Sequence, residues 1–289
     1  MNKFKIPCVI IHTGYKSYLK HNLEITSKNN EVFVIGDLSL KKLENINSNI
    51  KFINIEKYES INAIKEYEKG FVNFSTQPIE FEWFCFKRVF IMYQFLLENN
   101  LEQLFHIDSD NILLADINSF IFDKKNAYCI PTFQQNFRMD SSIHSGLLDI
   151  DFFESFQKLF RDIYLNKSKF SLIKDKIEYH KQNNIKGGIT DMTLYYLMQK
   201  TRIISPQNLM EPIKNLDGME YVFLNNLNLA EGYKNKKNYE KNRKGHIKIY
   251  NGNSVNDLVD RKFVRIANIH FQGGAKKQLN RFSKYKLTF

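Results

Sequence analysis

The chain has 289 residues, 43% of them hydrophobic and 14% aromatic, with only five prolines and twelve glycines. That is apolar mass for one large α/β domain or two small ones, and it excludes long disordered tracts. A formal net charge of +11 calls for anionic partners, with nucleic acid, nucleotide phosphates and an acidic membrane face all open. The excess concentrates at 233–248 and 276–286. Cys8, Cys85 and Cys129 are far apart among apolar neighbours, the pattern of buried thiols in a reducing compartment. The N-terminal apolar run, 8–11, is too short for a secretory signal, and no run reaches a membrane span. A soluble cytoplasmic protein is expected.

The first strand is expected over 6–12, fully buried and ending at His12-Thr13-Gly14, where polar residues and a glycine suit a turn. A helix over 17–27 follows. Further strands are expected over 31–35 and 51–55. Strands alternating with helices over so short a span indicate a parallel, Rossmann-like sheet. No Gly-x-Gly-x-x-Gly follows the first strand, and there is no Walker-type phosphate loop. The strongest helix is expected over 80–99, where Phe81, Phe84, Cys85, Val89, Met92, Phe95 and Leu96 recur at helical spacing. Lys87 and Arg88 interrupt that pattern.

Next comes an acidic turn between two apolar runs, Phe105-His106-Ile107-Asp108-Ser109-Asp110-Asn111-Ile112-Leu113. It falls at the C-terminal end of a strand, the edge where open α/β sheets bind ligands. Carboxylates at i and i+2 in extended chain point to one side, which is costly without a cation between them. A hard divalent metal is the natural partner; a solvated turn is the plainer alternative. Spacing alone decides little, because Asp149-Ile150-Asp151 repeats it. There Asp151-Phe152-Phe153-Glu154 reads as a capping box at a helix start.

Short strands are expected over 127–131 and 145–150. A polar stretch over 174–186 leads to a helix over 192–200, capped by Thr190 or Asp191. A late strand is expected over 221–224, then a long loop or small subdomain over 225–243. A last strand, 267–271, opens into Gln272-Gly273-Gly274-Ala275-Lys276. A glycine pair after a strand lets backbone amides approach an anion, and Lys276 adds charge for a phosphate. His270 could ligate a metal, or be a core histidine beside a basic tail.

Taken in order, these features resemble the GT-A glycosyltransferases, most nearly glycosyltransferase family 8 and bacterial relatives that build surface polysaccharides. His12-Thr13-Gly14 resembles the turn that contacts the nucleoside. Arg88 stands where the family places an arginine facing the donor. Asp108-Ser109-Asp110 matches the Asp-x-Asp motif, and His270-x-x-Gly273-x-x-Lys276 matches the C-terminal His-x-x-Gly-x-x-Lys motif. His144-Ser145-Gly146 resembles the Asn-Ala-Gly turn at the donor sugar, and Thr190-Asp191-Met192 the Asp-Gln turn. The chain departs from the family at His144, at Met192, and at Lys277-Gln278, where a Pro-Trp is usual.

The resemblance implies a single GT-A domain over 1–289. It would have a mixed, mainly parallel sheet flanked by helices and a basic C-terminal extension, about 225–289, closing the donor site. It implies Asp108, Asp110 and His270 as ligands of Mn²⁺ or Mg²⁺. His12, Thr13, Gly14, Arg88, Asp108, Ser109, Gly146, Gly273 and Lys276 would bind the nucleoside-diphosphate sugar, with UDP as the implied nucleotide. Arg88, His144 and Asp191 would act at the reacting centre. Retention of configuration is the family's implication; inversion would need a carboxylate base, for which Asp191 is the candidate, a simple helix cap being the alternative. A saccharide or lipid-linked saccharide would be the acceptor, in bacterial surface glycan synthesis. The tail, with Leu279, Phe282, Tyr285, Leu287 and Phe289 among basic residues, would suit peripheral contact with the anionic inner face of the cell membrane, or is a solvated terminus. Two other readings compete: a phosphoryl or nucleotidyl transferase using the same acidic pair, which lacks its phosphate loop here, and a basic nucleic-acid-binding protein. On the glycosyltransferase reading no nucleic acid partner is expected.

Overall fold

The computed structural model describes residues 5–131, 134, 137–224, 265–276 and 279, with the backbone of two further strands at 239–241 and 247–249. The order begins β1 (Cys8–His12), α1 (Ser17–Thr26), β2 (Val32–Gly36), a 3-10 segment (Leu38–Ile46), β3 (Ile50–Asn54), α2 (Glu56–Glu59), α3 (Asn62–Gly70) and α4 (Ile79–Glu98). It continues β4 (Gln103–Ile107), β5 (Asn111–Leu113), β6 (Ala127–Cys129), β7 (Ser142–Asp149), α5 (Ile150–Phe160), α6 (Ser171–Gln182) and α7 (Asp191–Lys200). Short strands complete it: β8 (Gln207–Asn208), β9 (Ile213–Lys214), β10 (Glu220–Val222), β11 (Tyr239–Lys241), β12 (Ile247–Ile249), β13 (Arg265–Ile266) and β14 (Asn268–His270).

The main sheet has the order β3-β2-β1-β4-β7-β6-β8. β3, β2, β1 and β4 are mutually parallel, with Cys8 level with both Val32 and Phe105. β7 runs antiparallel to β4 and β6, and β6 is parallel to β8. The result is a mixed, mainly parallel sheet in which only β7 opposes the rest. Helices cover both faces, which is why β1 reads as an unbroken apolar run. Successive residues of a strand face opposite ways. Val9 and Ile11 join a core with α4, α5 and α7, while Cys8 and Ile10 join a second core with α1. On β4, Leu104 faces the first core and Phe105 and Ile107 the second. The first core is dominated by rings: Phe90 of α4 stacks on Tyr67 at 4.4 Å and meets Phe160 edge-on at 5.3 Å. The three cysteines are free, with Cys8 and Cys129 buried and Cys85 partly so.

Several expectations need correction. The antiparallel strand is longer than 145–150, because its residues are buried from Ser142 to Asp149. The following helix begins at Ile150, so Asp149, not Asp151, is its cap: the Asp149 side chain accepts from the Phe152 amide at 2.9 Å. The stretch 174–186 is mostly α6, whose polar surface hides the single buried stripe of Ile173 and Lys176. α2 and α3 carry little periodic signal, because they bury only Tyr58, Ile64 and Tyr67 among charged residues. The loop expected over 225–243 and the tail from Lys277 lie outside the described residues, except 239–241 and Leu279. Among the described residues no helix is long and apolar enough to cross a membrane.

Candidate metal centre

The acidic turn closes between β4 and β5. Its corner is tight, the Asn111 amide donating to the Asp108 carbonyl at 2.9 Å, so the two aspartates are not an extended i, i+2 pair. A second ladder brings in the C-terminal motif: β14 runs antiparallel to β5 with His270 opposite Asn111, and the Phe271 amide donates to the Asp110 carbonyl at 2.9 Å. One ligand atom each from Asp108, Asp110 and His270 lies within 4.8 Å of the others. Oxygens on a single Mg²⁺ at ~2.1 Å lie no more than ~4.2 Å apart. The cluster therefore fits a small divalent ion after a modest contraction. Two carboxylates and one imidazole make a donor set for a divalent cation.

Cationic side chains hold each carboxylate. Arg88 of α4 donates from Nη1 to Asp108 Oδ1 at 2.6 Å, from Nη2 to Asp191 Oδ2 at 2.8 Å and from Nε to the Cys85 carbonyl at 3.2 Å. Burial would raise the Asp108 carboxyl, but Arg88 and then His106 hold it well below the usual carboxylate range. His106 donates from Nδ1 to the Val9 carbonyl at 3.0 Å, which leaves Nε2 3.3 Å from Asp108 Oδ1. Asp110 sits between His270, whose Nε2 is 3.4 Å from Oδ1, and Lys276, whose Nζ is 3.0 Å from Oδ2. Burial would raise this carboxyl too, but His270 and Lys276 keep it low against the repulsion of Asp108. In return Asp110 outweighs burial and raises the Lys276 ammonium.

Three asparagines lock the turn to its neighbours. Asn111 Nδ2 donates to the His144 carbonyl at 2.5 Å and to Ser145 Oγ at 2.7 Å, while its Oδ1 accepts from Asn268 Nδ2 at 2.7 Å. Asn268 Oδ1 in turn accepts from the Leu224 amide at 2.6 Å. Asn22 of α1 donates to the carbonyls of Ser109 and Asn111, both at 2.9 Å. None of the three stands out in the sequence by residue type. Asn111 adjoining Asp110, and Asn268 two residues before His270, were the available signals.

The remaining candidates fall around this centre. His144 is buried beneath His270, ring on ring at 4.3 Å and 14°. Burial and then His270 push its pKa down to about 3. The His12 pKa is lowered by burial and by Lys276. Thr13 and Gly14 are exposed at the β1 edge, where the Gly14 amide donates to Asp37 Oδ2 at the end of β2. Gly146 lies in β7 opposite His106. Gly273 is exposed with φ of +59°, a left-handed corner open to a ligand.

Asp191 is the first residue of α7, with Thr190 as the cap. Its Oδ1 accepts from the Met192 amide, and its Oδ2 accepts from Tyr195 Oη at 2.9 Å as well as from Arg88. Behind it lies a further buried polar cluster. Ser75 Oγ donates to Glu82 Oε1 at 2.9 Å, and Lys176 Nζ donates to Thr193 Oγ1 at 2.9 Å and lies 3.6 Å from Asp140. Burial lifts the Glu82 carboxyl to about 7, resisted by the Ser75 hydrogen bond and aided by Asp191. The entry to α7 is clamped to the strap before α4 by Thr76 N to Gly187 O at 2.9 Å and Ile189 N to Phe74 O at 3.1 Å.

No family model matches the chain, and no curated protein matches it. The family 8 pattern therefore stays a resemblance. Solved structures do match at low similarity. One titled "PaToxG Glycosyltransferase" aligns over 67% of this chain and 68% of that chain, at 13% identity and a TM-score of 0.40. Another, titled as a glycosyltransferase involved in the glycosylation of the major capsid of PBCV-1, aligns over 55% and 74%, at 10% identity and a TM-score of 0.27. Neither likeness is close enough to carry an inference, and what the protein does is read from its own side chains.

Proposed function

We propose that the protein is a metal-dependent glycosyltransferase, moving a sugar from a nucleoside-diphosphate donor to a saccharide or lipid-linked saccharide. The observation that carries this reading is the convergence of Asp108, Asp110 and His270, with Lys276 beside them, at the C-terminal edge of a mainly parallel sheet. That edge is where such sheets bind nucleotides. Asp108, Asp110 and His270 would hold Mn²⁺ or Mg²⁺, which when bound supplies Lewis-acid neutralisation of a departing diphosphate.

The chain's own groups supply the rest. Lys276 and the Gly273 amide provide positive charge and a donor where the leaving group gains charge. On this reading His12, Thr13 and Gly14 would face the nucleoside, and Ser109 and Gly146, the latter buried within β7, would lie toward the sugar. Arg88 holds Asp108 and Asp191 side by side through one guanidinium. His144, neutral and buried, is the floor on which the His270 ring rests. Asp191 already accepts hydrogen bonds from Arg88, Met192 and Tyr195, so both carboxylate oxygens are engaged. That favours retention, with Asp191 stabilising positive charge at the sugar.

Donor hydrolysis in the absence of acceptor tests the reading. Mn²⁺-dependent release of nucleoside diphosphate from a UDP-sugar is expected, falling at least ~100-fold in Asp110→Asn. Unchanged donor binding and turnover in that variant would sink the proposal.

A further inference from the structure

Both carboxylates of the centre already carry an organic cation, but the two cations are held differently. The Arg88 side chain is 14% exposed and donates to three separate acceptors. The Lys276 side chain is 41% exposed; its ammonium meets Asp110 and otherwise faces the Tyr18 ring at 5.8 Å. It follows a turn through exposed Gly273 and Gly274, and its four-carbon stem can swing. An ammonium 3.0 Å from Asp110 Oδ2 stands where a dication bound to that oxygen would repel it. Arg88 is pinned by three acceptors, whereas Lys276, held by one carboxylate oxygen, is the cation that can give way to a metal.

We propose that Lys276 occupies the cation's place at Asp110 in the free protein, so that the site disfavours the bare ion and takes it as a metal–diphosphate complex. The diphosphate gives the displaced ammonium a new anionic partner, so ion and diphosphate favour each other through one side chain. Such reciprocity is a coupling free energy between two ligands. The diphosphate half of this inference rests on the donor reading above; the competition between Lys276 and the metal does not.

Calorimetric titration with MnCl₂, and separately with the preformed Mn²⁺–pyrophosphate complex, tests it on the full chain without any turnover. Wild-type protein should bind Mn²⁺ alone weakly and the complex at least ~10-fold more tightly. Lys276→Met and Lys276→Gln should each bind Mn²⁺ alone ~10-fold more tightly than wild type and lose most of the preference for the complex. Melting curves of both variants confirm folding. Equal or weaker binding of Mn²⁺ in both folded variants overturns the proposal, even if the wild type prefers the complex and the donor reading survives. A gain in Mn²⁺ affinity with no preference for the complex in the wild type overturns its diphosphate half and leaves Lys276 as a competitor of the ion alone, while the donor reading is judged separately by the Asp110→Asn hydrolysis assay.

Discussion

Arg88 is the residue on which two carboxylates from distant parts of the chain depend. Replacing it with methionine leaves Asp108 and Asp191 without their shared partner, and loss of ~3–5 kcal/mol of stability is expected in denaturant titration. Lysine should rescue little of this, since one ammonium cannot span both oxygens as a planar fork does. Tyr195→Phe removes a single hydrogen bond to Asp191 and should cost only about 1 kcal/mol. Asp108 and Asp110 have pKa values below those of free carboxyls. They therefore contribute stability that is full above about pH 4 and is lost as pH falls through their lower folded values. Melting the metal-free protein from pH 6 to pH 2 checks this; in Asp108→Asn the acid-side slope should flatten.

At the scale of elements, α4 and α7 meet across Arg88, and their junction contains a carboxyl pushed upward. Glu82 has its pKa raised from 4.5 to about 7, so the folded state binds its proton more tightly than the unfolded chain does. Its effect on stability is thus harmless below about pH 4.5 and becomes a penalty as pH rises toward 7, on the order of 3 kcal/mol when complete. Glu82→Gln keeps an acceptor for Ser75, and should leave the melting temperature unchanged at pH 5 and raise it at pH 8. The clamp that sets α7 has a position where only glycine fits. Gly188 has φ of +134°, and a Cβ there would lie 2.1 Å from the Phe74 carbonyl oxygen. Gly188→Ala is expected to cost roughly 2–4 kcal/mol and, by moving Asp191, to reduce turnover more than donor affinity.

The whole molecule brings two distant parts of the chain together at one sheet edge. β5 carries Asp110 into the ladder and β14 returns with His270, 160 residues later in the chain, paired through Asn111 and Asn268. Ligand binding should therefore stabilise the whole fold, because it ties the β4–β5 turn to β14. At one hundred times Kd the Mn²⁺–UDP complex should add about 2.7 kcal/mol, read as a rise of several degrees in melting temperature. Asn268→Ala should weaken that gain while keeping all three ligands, which separates positioning from ligation.

Much of this was legible beforehand. The parallel half of the sheet followed from buried apolar runs alternating with helices, because a strand covered on both faces must be apolar on both. Asp108, Asp110, His270 and Lys276 stood out because carboxylates, imidazole and ammonium are chemically conspicuous. What no local pattern could reveal was how they are held. The antiparallel β7, the β5–β14 ladder, the sharing of Arg88 between Asp108 and Asp191, and the stacking of His144 on His270 all join residues far apart in the chain. Hydrogen-bond partners at that separation are chosen by the packing of sheets and helices, not by neighbours in sequence. The residue types of the centre were thus determined by the sequence alone; which cation each carboxylate keeps was decided only by the tertiary structure, because those partners lie far apart in the chain.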